Sequence, residues 1–447
     1  MPGKYAAMRI KQLLYTGICC LCALGLSACS IQSNTEDLMV PPKLSPKQSA
    51  ITSALEKGLG TSNFTLKYPI SGDNRSAYVF CNLDEESGEE VVVFYQLNND
   101  AQMRMNILDQ TPDGGWQSVY DMAGDGDDVY AVHFAPISSK EKNNLVIAWK
   151  NRGQTSLNID IYTYEQELLT NLFSGKGEQI HFMDINGDGY SEMVLLGHAS
   201  SQDPSLQIVR RAGSKVIARD ELLLTGEAID FLGVRLGTTA DGKKALYIDE
   251  LVRSDSAATD IVTFQNFKMT LLTEESEDGE LSQLYLDTMR PAQYLCADYN
   301  QDGILDIPTV SALPGYSSGE EDENLYRIDY KNIYRRELRP VYSAVSNEEM
   351  GYTFLMPDSW IDTVTVRQIN ELNEWQFAVY DSATGQTSAV LLKIRVSSHQ
   401  DFQDKFSTGS YFPLASKGIF EYSASIPHPE HPLSIPQDQV QKLFLLN

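Results

Sequence analysis

An acidic loop occurs twice in this chain, and each copy lies between strand-like runs of apolar residues. The copies are residues 181–196, HFMDINGDGYSEMVLL, and residues 294–310, YLCADYNQDGILDIPTV. The same loop recurring between strands predicts a modular all-β array. Both copies carry oxygen side chains at positions 1, 3, 5 and 9 and glycine at position 6: Asp184, Asn186, Asp188, Glu192 and Gly189 in the first, and Asp298, Asn300, Asp302, Asp306 and Gly303 in the second.

This spacing suits a hard cation such as Ca²⁺. The side-chain oxygens would be joined by the backbone carbonyl at position 7, which belongs to Tyr190 or Ile304. An EF-hand loop places its glutamate at position 12 and lies between helices, whereas these loops have β-rich flanks. We therefore predict calcium in both loops, in a structural role that fixes the turn. The alternative is an Asx-rich turn that closes a hairpin without metal.

A less complete copy of the loop lies nearer the N-terminus. It has Asn82, Asp84, Glu86 and Glu90 at positions 1, 3, 5 and 9, but it lacks the glycine at position 6. We therefore predict it only as a third, weaker calcium candidate. The equivalent turns at residues 136–144 and 237–244 keep their polar character but lack the ligands.

Short β-rich runs between polar turns recur about every 50 residues, in five units of four predicted strands. This period predicts a five-bladed β-propeller of four-stranded blades over residues 65–342. The pattern changes after residue 349. Strands are predicted at residues 374–380 and 389–396 and helices near residues 400–406 and 436–446, with an exposed Trp360 after a turn. We therefore predict a small α+β domain over residues 343–447.

The N-terminus has the organisation of a bacterial lipoprotein signal. Lys4, Arg9 and Lys11 precede an apolar segment at residues 13–26, which ends at small residues before Cys29. This segment is too short to span a bilayer comfortably. It predicts a signal peptide at residues 1–28, lipid on Cys29, a flexible tether at residues 29–48, and a short helix and linker at residues 49–64. The expected location is the outer face of the bacterial cell membrane, with contact to the membrane through lipid only.

The repeats resemble the FG-GAP/VCBS family, whose members form integrin-like β-propellers with calcium in such loops. The resemblance covers about residues 78–338. Residues 41–44 (PPKL) and 66–72 (LKYPISG) are similar to the start of FG-GAP-type lipoproteins of Gram-positive anaerobes. Residues 351–360 (GYTFLMPDSW) resemble a motif that often precedes the small PsbP/Mog-type fold.

Charge and composition narrow the set of partners. The chain has 61 acidic and 35 basic residues, a net charge of −26. This field repels nucleic acid and favours cations. Beyond the signal and the lipidated Cys29, only Cys81 and Cys296 remain, and they predict two unpaired thiols rather than a disulfide scaffold.

The sequence contains no convincing catalytic motif. Residues 315–319 (GYSSG) match G-x-S-x-G, but Pro314 precedes them and acidic residues follow, which does not fit a strand–turn–helix elbow. His133 and His181 share one repeat position, where they would pack or face a central channel. We therefore predict a binding or scaffolding module for a protein or glycan and no enzymatic activity. The alternative is an extracellular polysaccharide-acting enzyme with its active site on the propeller's central face.

Overall fold

The computed structural model describes residues 44–447 except 85, 87, 200, 201, 220, 227, 267, 276, 277, 317–324 and 399–410. The predicted signal peptide, Cys29 and most of the tether lie outside this range. So do the predicted helix at residues 400–406 and the last three residues of the G-x-S-x-G match. Across the part of the chain that is described, no helix combines the length and hydropathy needed to cross a membrane.

The chain divides into two compact units. The first comprises the N-terminal segment up to residue 62 and residues 110–118. Its helix α1, Pro46–Leu59, begins after the N-cap residue Ser45. The Ser45 side chain accepts the N–H of Gln48, and the Gln48 side chain accepts the N–H of Ser45, which completes a capping box. This helix begins three residues before residues 49–64, for which a short helix and linker are predicted.

The second unit comprises residues 63–109 and 119–447 and is dominated by antiparallel sheets. The prediction of a mainly β chain is confirmed. The first sheet has the order β1-β3-β4-β5, with β2 also on β3. Its strands are β1 (Phe64–Lys67), β2 (Tyr78–Cys81), β3 (Glu90–Leu97), β4 (Met103–Gln110) and β5 (Trp116–Ala123).

The next three sheets each run through four consecutive strands. The second contains β6 (Asp128–Ala135), β7 (Asn144–Lys150), β8 (Leu157–Glu165) and β9 (Leu168–Gly177). The third contains β10 (Gln179–Met183), β11 (Glu192–His198), β12 (Pro204–Ala212), β13 (Lys215–Ala218) and β14 (Leu222–Leu223). The fourth contains β15 (Asp230–Thr238), β16 (Lys244–Leu251), β17 (Ser256–Gln265), β18 (Lys268–Leu271) and β19 (Arg290–Pro291), with the short helix α2 (Gln283–Leu286) before β19.

The second strand of each of these sheets is buried on both faces, and its side chains alternate between two neighbours. In β7, Ile147 packs in a core shared with the first sheet, whereas Val146 packs in a core shared with the third. In β11, Leu195 faces the second sheet's core and Val194 the fourth's. Successive strand residues point to opposite faces, so each sheet packs against the one before it and the one after it. This is a propeller-like stacking of sheets.

The fifth sheet departs from the predicted unit. Its order is β20-β21-β22-β23-β29, with β20 (Ile307–Ala312), β21 (Tyr326–Tyr334), β22 (Glu337–Asn347), β23 (Tyr352–Met356) and β29 (Phe444–Leu446). Residues 293–297, where the period places the first strand of the fifth unit, form one isolated bridge, between Ala297 and Asp306. The predicted domain boundary at residue 343 falls inside β22. The count of five four-stranded blades and the separate C-terminal domain therefore stay predictions.

The C-terminal residues add a sixth sheet of order β24-β25-β26-β28-β27. Trp360 is fully buried, and its indole N–H donates to the carbonyl oxygen of Leu433 at 2.7 Å. The prediction of an exposed Trp360 is therefore wrong. The remaining elements are β24 (Val364–Ile369), β25 (Glu374–Asp381), β26 (Gln386–Ser398), β27 (Phe412–Lys417), β28 (Phe420–Ser425), the helix α3 (Gln437–Leu443), and two short 3-10 turns at Asp358–Trp360 and Asn370–Leu372.

Candidate functional site

The two complete acidic loops have the same hydrogen bonds at the same positions. In the first, Asp184 accepts the N–H groups of Asp188 and Gly189 at 3.0 and 2.8 Å. In the second, Asp298 accepts those of Asp302 and Gly303 at 3.0 and 2.9 Å. Gly189 and Gly303 have φ angles of 85° and 84°, a conformation that favours glycine. The two loops therefore form the same type of turn.

Further bonds within each turn involve positions 3, 5 and 7. Asn186 and Asn300 each donate an amide N–H to the aspartate two residues on, at 2.9 and 3.0 Å. Asp188 accepts the N–H of Tyr190 at 2.9 Å, and Asp302 accepts that of Ile304 at 2.8 Å. These bonds preform both turns.

The carboxylate at position 9 is buried in all three candidate loops and accepts the N–H of position 2. Glu192 bonds Ile185 at 2.9 Å, and Asp306 bonds Tyr299 at 3.2 Å. Glu90 bonds Leu83 in the less complete loop. Burial raises the pKa of Glu90 and Glu192 to about 7 and that of Asp306 to about 6. One oxygen of Glu90 and one of Asp306 have no hydrogen-bond partner among the described residues.

The oxygen atoms of the second complete loop suit a hard cation better than those of the first. A carboxylate has about four lone-pair sites, so one or two N–H bonds leave it able to ligate. Asp306 has an unpartnered buried oxygen, and the negative charges of Asp302 and Asp298 help burial to raise its pKa. In the first loop, by contrast, Lys140 and Arg211 lie 4.9 and 4.7 Å from the ring of Tyr190.

In the less complete loop, Glu86 donates its N–H to Asp84 at 3.0 Å, and the Asn82 amide bonds the carbonyl of Glu86 at 3.2 Å. No three His, Cys, Asp or Glu side chains converge as a ready metal site within the residues that the structure covers. Calcium in these loops stays a prediction.

A pocket of about 830 Å³ lies beside the second complete loop and is walled by tyrosines. The rings of Tyr299 and Tyr330 are 4.8 Å apart, and those of Tyr330 and Tyr342 are 4.7 Å apart and stacked. Tyr294 completes the group, and we call this cavity the tyrosine pocket. Other residues that line it are Gln293, Asn300, Gln301, Ile328, Ser346, Glu348, Thr353, Leu355, Leu445, Leu446 and Asn447.

The tyrosine pocket combines flat apolar faces with hydrogen-bonding groups. Tyr299 is 43% exposed at the rim, whereas Tyr330 is only 6% exposed. Glu348 lies close enough to raise the pKa of Tyr294, after the larger effect of burial. A tyrosine ring buries a large apolar area while its hydroxyl bonds a polar group. The pocket can therefore contact both the apolar and the hydroxyl groups of one ligand.

A second group of polar side chains lies on the first strands of three consecutive sheets. His133 on β6 contacts Phe182 on β10, with ring centres 5.3 Å apart. On β10, Gln179 donates to the carbonyl of Phe231 at 2.7 Å and to Asp230 at 3.3 Å. His181 lies 3.4 Å from the Gln179 side-chain oxygen. Burial lowers the pKa of His133 and, together with the nearby His133, that of His181.

The tyrosine pocket could not be found from the sequence. The chain has 23 tyrosines, and nothing in their spacing separates these four from the rest. Only Tyr299 could be connected with a site, because it lies inside the second acidic loop. The two predicted thiols are confirmed as unpaired, with Cys296 buried.

No family model and no curated protein matches this chain. It is similar to solved structures that include the periplasmic gluconolactonase of Pseudomonas aeruginosa (12% identity, TM-score 0.28, 74% of this chain and 88% of that one). Another is a putative 6-phosphogluconolactonase of Bacteroides uniformis (12%, 0.29, 74% and 91%). A third is the WD40 domain of SCAP from fission yeast (9%, 0.24, 81% and 98%). Likeness at this level transfers no activity to this chain.

Two predictions need correction in the light of these comparisons. The expected membership of the FG-GAP/VCBS family, with a PsbP/Mog-type C-terminal region, is wrong. No family model matches, and the three structures given above are named as two lactonases and a WD40 domain. The expectation of no enzymatic activity is also corrected: the comparison includes structures with lactonase names, and it gives that expectation no support.

Proposed function

We propose that this protein binds an extracellular carbohydrate in the tyrosine pocket. The observation that carries the proposal is the run of rings Tyr299, Tyr330 and Tyr342 along one wall of a pocket that also presents amide and carboxylate groups. Aromatic faces pack against the C–H faces of sugar rings, and amides and carboxylates bond sugar hydroxyls. The volume of about 830 Å³ is within the range of small-ligand sites.

Charge favours a neutral glycan over an anionic one. Glu348 lines the pocket, Asp302 and Asp306 lie in the adjoining loop, and the whole chain has a net charge of −26. This field repels uronic acids, phosphates and sulfates. We therefore expect the ligand to be an uncharged polysaccharide or oligosaccharide of the cell's surroundings.

The proposal includes the setting that the N-terminus predicts. Lipid on Cys29 would anchor the protein at the outer face of the membrane, with the pocket in the exterior. Calcium in the loops around Asp184 and Asp298 would stabilise the turns structurally. The unpartnered buried oxygen of Asp306 and the preformed bonds of both loops support the calcium proposal.

A screen of uncharged polysaccharides by affinity electrophoresis tests the proposal. The panel contains β-glucan, xylan, mannan and galactan, with an anionic polysaccharide for comparison. We expect at least one neutral glycan to retard the protein in the gel. This retardation should be lost in Tyr299→Ala. Tyr68→Ala is the matched control, because Tyr68 is 61% exposed and does not line the pocket. The proposal would be refuted if both variants were retarded equally. It would also be refuted if no neutral glycan retarded the parent protein.

The second candidate function is chemical action on such a carbohydrate. The array of His133, His181, Gln179 and Asp230 favours it, because histidines with lowered pKa values are neutral near pH 7 and can accept a proton. Release of reducing ends from the glycan that retards the protein, and release of acid from a gluconolactone, measure turnover. We expect His181→Ala to abolish turnover and to keep binding. Binding without any turnover would eliminate this second function and leave the first.

A further inference from the structure

The tyrosine pocket and the second complete acidic loop are parts of one segment. Tyr299, Asn300 and Gln301 line the pocket, and they lie between Asp298 and Asp302 in the loop. Asn300 belongs to both: its side chain bonds Asp302 within the turn at 3.0 Å and its residue faces the pocket. Whatever fixes this turn therefore fixes one wall of the pocket.

Asp306 links the loop to the tyrosines more directly. Its Oδ2 atom accepts the N–H of Tyr299 at 3.2 Å and the hydroxyl of Tyr342 at 2.9 Å. Its side chain is fully buried, and its Oδ1 atom has no hydrogen-bond partner among the described residues. A buried carboxylate oxygen without a partner is unfavourable unless a donor or a cation reaches it.

The first complete loop lacks this link and provides an internal control. Glu192 takes the place of Asp306 and bonds the N–H of Ile185. The ring of Tyr190, the aromatic residue of that loop, contacts Lys140 and Arg211, and no residue of the loop lines the tyrosine pocket. The two turns share internal hydrogen bonds, so the first loop serves as a comparison turn that does not line the pocket.

We propose that a divalent cation bound by the loop from Asp298 to Asp306 sets the arrangement of Tyr299 and Tyr342, so that the tyrosine pocket binds carbohydrate tightly only in the cation-loaded protein. The part about carbohydrate rests on the proposed function; the part about the tyrosines does not. With the cation present, Oδ1 of Asp306 gains a partner while Oδ2 keeps the two tyrosine-bearing segments in place.

The first test measures the tyrosines without any sugar. Ca²⁺ is added to EDTA-treated protein and followed by near-UV circular dichroism, and Tb³⁺ is followed by luminescence excited through tyrosine. We expect a saturable change that EDTA reverses, with most of it lost in Asp302→Asn and most of it kept in Asp188→Asn. Both substituted residues are exposed and hold position 5 of their turns, so both variants should fold, which far-UV spectra would verify.

A conservative variant separates metal binding from the link to the pocket. Tyr342→Phe keeps the ring but removes the hydroxyl that bonds Asp306. We expect it to bind Tb³⁺ and to show a smaller near-UV change. No near-UV change with millimolar Ca²⁺ in the parent protein, or a change that disappears in Asp188→Asn and persists in Asp302→Asn, would overturn the proposal.

The second test measures the affinity for glycan in Ca²⁺ and in EDTA. It uses the polysaccharide that retards the protein in the screen. We expect affinity at least tenfold weaker in EDTA and in Asp302→Asn. Equal affinity in EDTA would overturn the dependence on cation while the proposed carbohydrate binding stands. If the near-UV response is normal but no glycan of the panel retards the protein, the proposed function is refuted. The link between cation and tyrosines would then still stand.

Discussion

The side chain of Asn144 accepts the N–H of Ile137 at 3.1 Å, in the turn that joins β6 to β7. Glu192 makes the equivalent bond to Ile185 in the turn that joins β10 to β11. The turn without metal ligands therefore keeps the same buried acceptor, but as a neutral amide. The acceptor at position 9 is thus part of the turn itself, whether or not a cation site is built around it.

Loss of this acceptor should destabilise the protein. Asn144→Ala would leave the N–H of Ser138 without its acceptor, whereas the N–H of Ile137 would keep its bond to the carbonyl of Ala135. A buried unsatisfied donor costs about 1–3 kcal/mol. We expect the free energy of unfolding in urea to fall by about that amount. Asn143→Ala, at an exposed neighbouring position, is the control and should change little. Equal effects of both substitutions would contradict the role given to Asn144.

Calcium should raise the melting temperature, and the second complete loop should account for most of the rise. A ligand that binds only the folded state at 100 times its Kd adds about 2.7 kcal/mol. Asp298→Ala should remove more of the rise than Asp184→Ala, because Lys140 and Arg211 lie beside the first loop. Differential scanning calorimetry in EDTA and in a calcium series measures this. An unchanged melting temperature up to millimolar calcium would rule out calcium in both loops.

Stability without metal should fall as pH rises above about 4. Burial raises the pKa of Asp260 to about 6 and that of Glu250 well above its usual range. The folded protein then binds more protons than the unfolded chain between the ordinary and the raised pKa, so this stability is fully present below the unfolded pKa and is lost as pH rises through the folded pKa.

For Asp260 alone the loss is on the order of 3 kcal/mol. Urea unfolding in EDTA between about pH 4 and about pH 8, which runs from the ordinary carboxyl pKa to above the raised pKa of Asp260, should show the decline. Glu250→Gln should flatten it, because the amide carries no charge at any pH. A slope identical to that of the parent protein would show that Glu250 does not contribute.

Trp360 should be a major contributor to the C-terminal core. Its side chain is fully buried, lies 5.7 Å from the ring of Phe377 and donates to Leu433. Replacing a buried tryptophan with alanine costs about 3–5 kcal/mol. We expect Trp360→Ala to lower the urea midpoint strongly, whereas Leu372→Ala, at a 46% exposed site, should have little effect. A small loss in Trp360→Ala would contradict the observed packing.

The acidic turns could be predicted from the sequence because their hydrogen bonds are local. Asp184 bonds residues three to five positions ahead, and so the spacing alone specifies the turn. The short β-rich runs between polar turns similarly predicted strands such as β7. These features depend on neighbours in the chain and not on how distant segments meet.

The tyrosine pocket could not be predicted because it depends on strand register. Tyr330 and Tyr342 are partners across β21 and β22, and a β-bulge directly follows that pair. A shift of one residue would turn either ring to the other face. Trp360 was misjudged for a related reason: its partner Leu433 lies 73 positions further along the chain.

The central claim is that carbohydrate binds in the tyrosine pocket. Isothermal titration calorimetry tests it most directly, with the calcium-loaded protein and an oligosaccharide of the glycan that retards the protein in the screen. The account predicts saturable binding to the parent protein and to Tyr68→Ala, and binding about tenfold or more weaker in Tyr299→Ala, which corresponds to about 1.4 kcal/mol. Tyr299 is the exposed ring of the pocket wall, so its removal should spare the fold. Unchanged affinity in Tyr299→Ala would contradict the claim that carbohydrate binds in the tyrosine pocket.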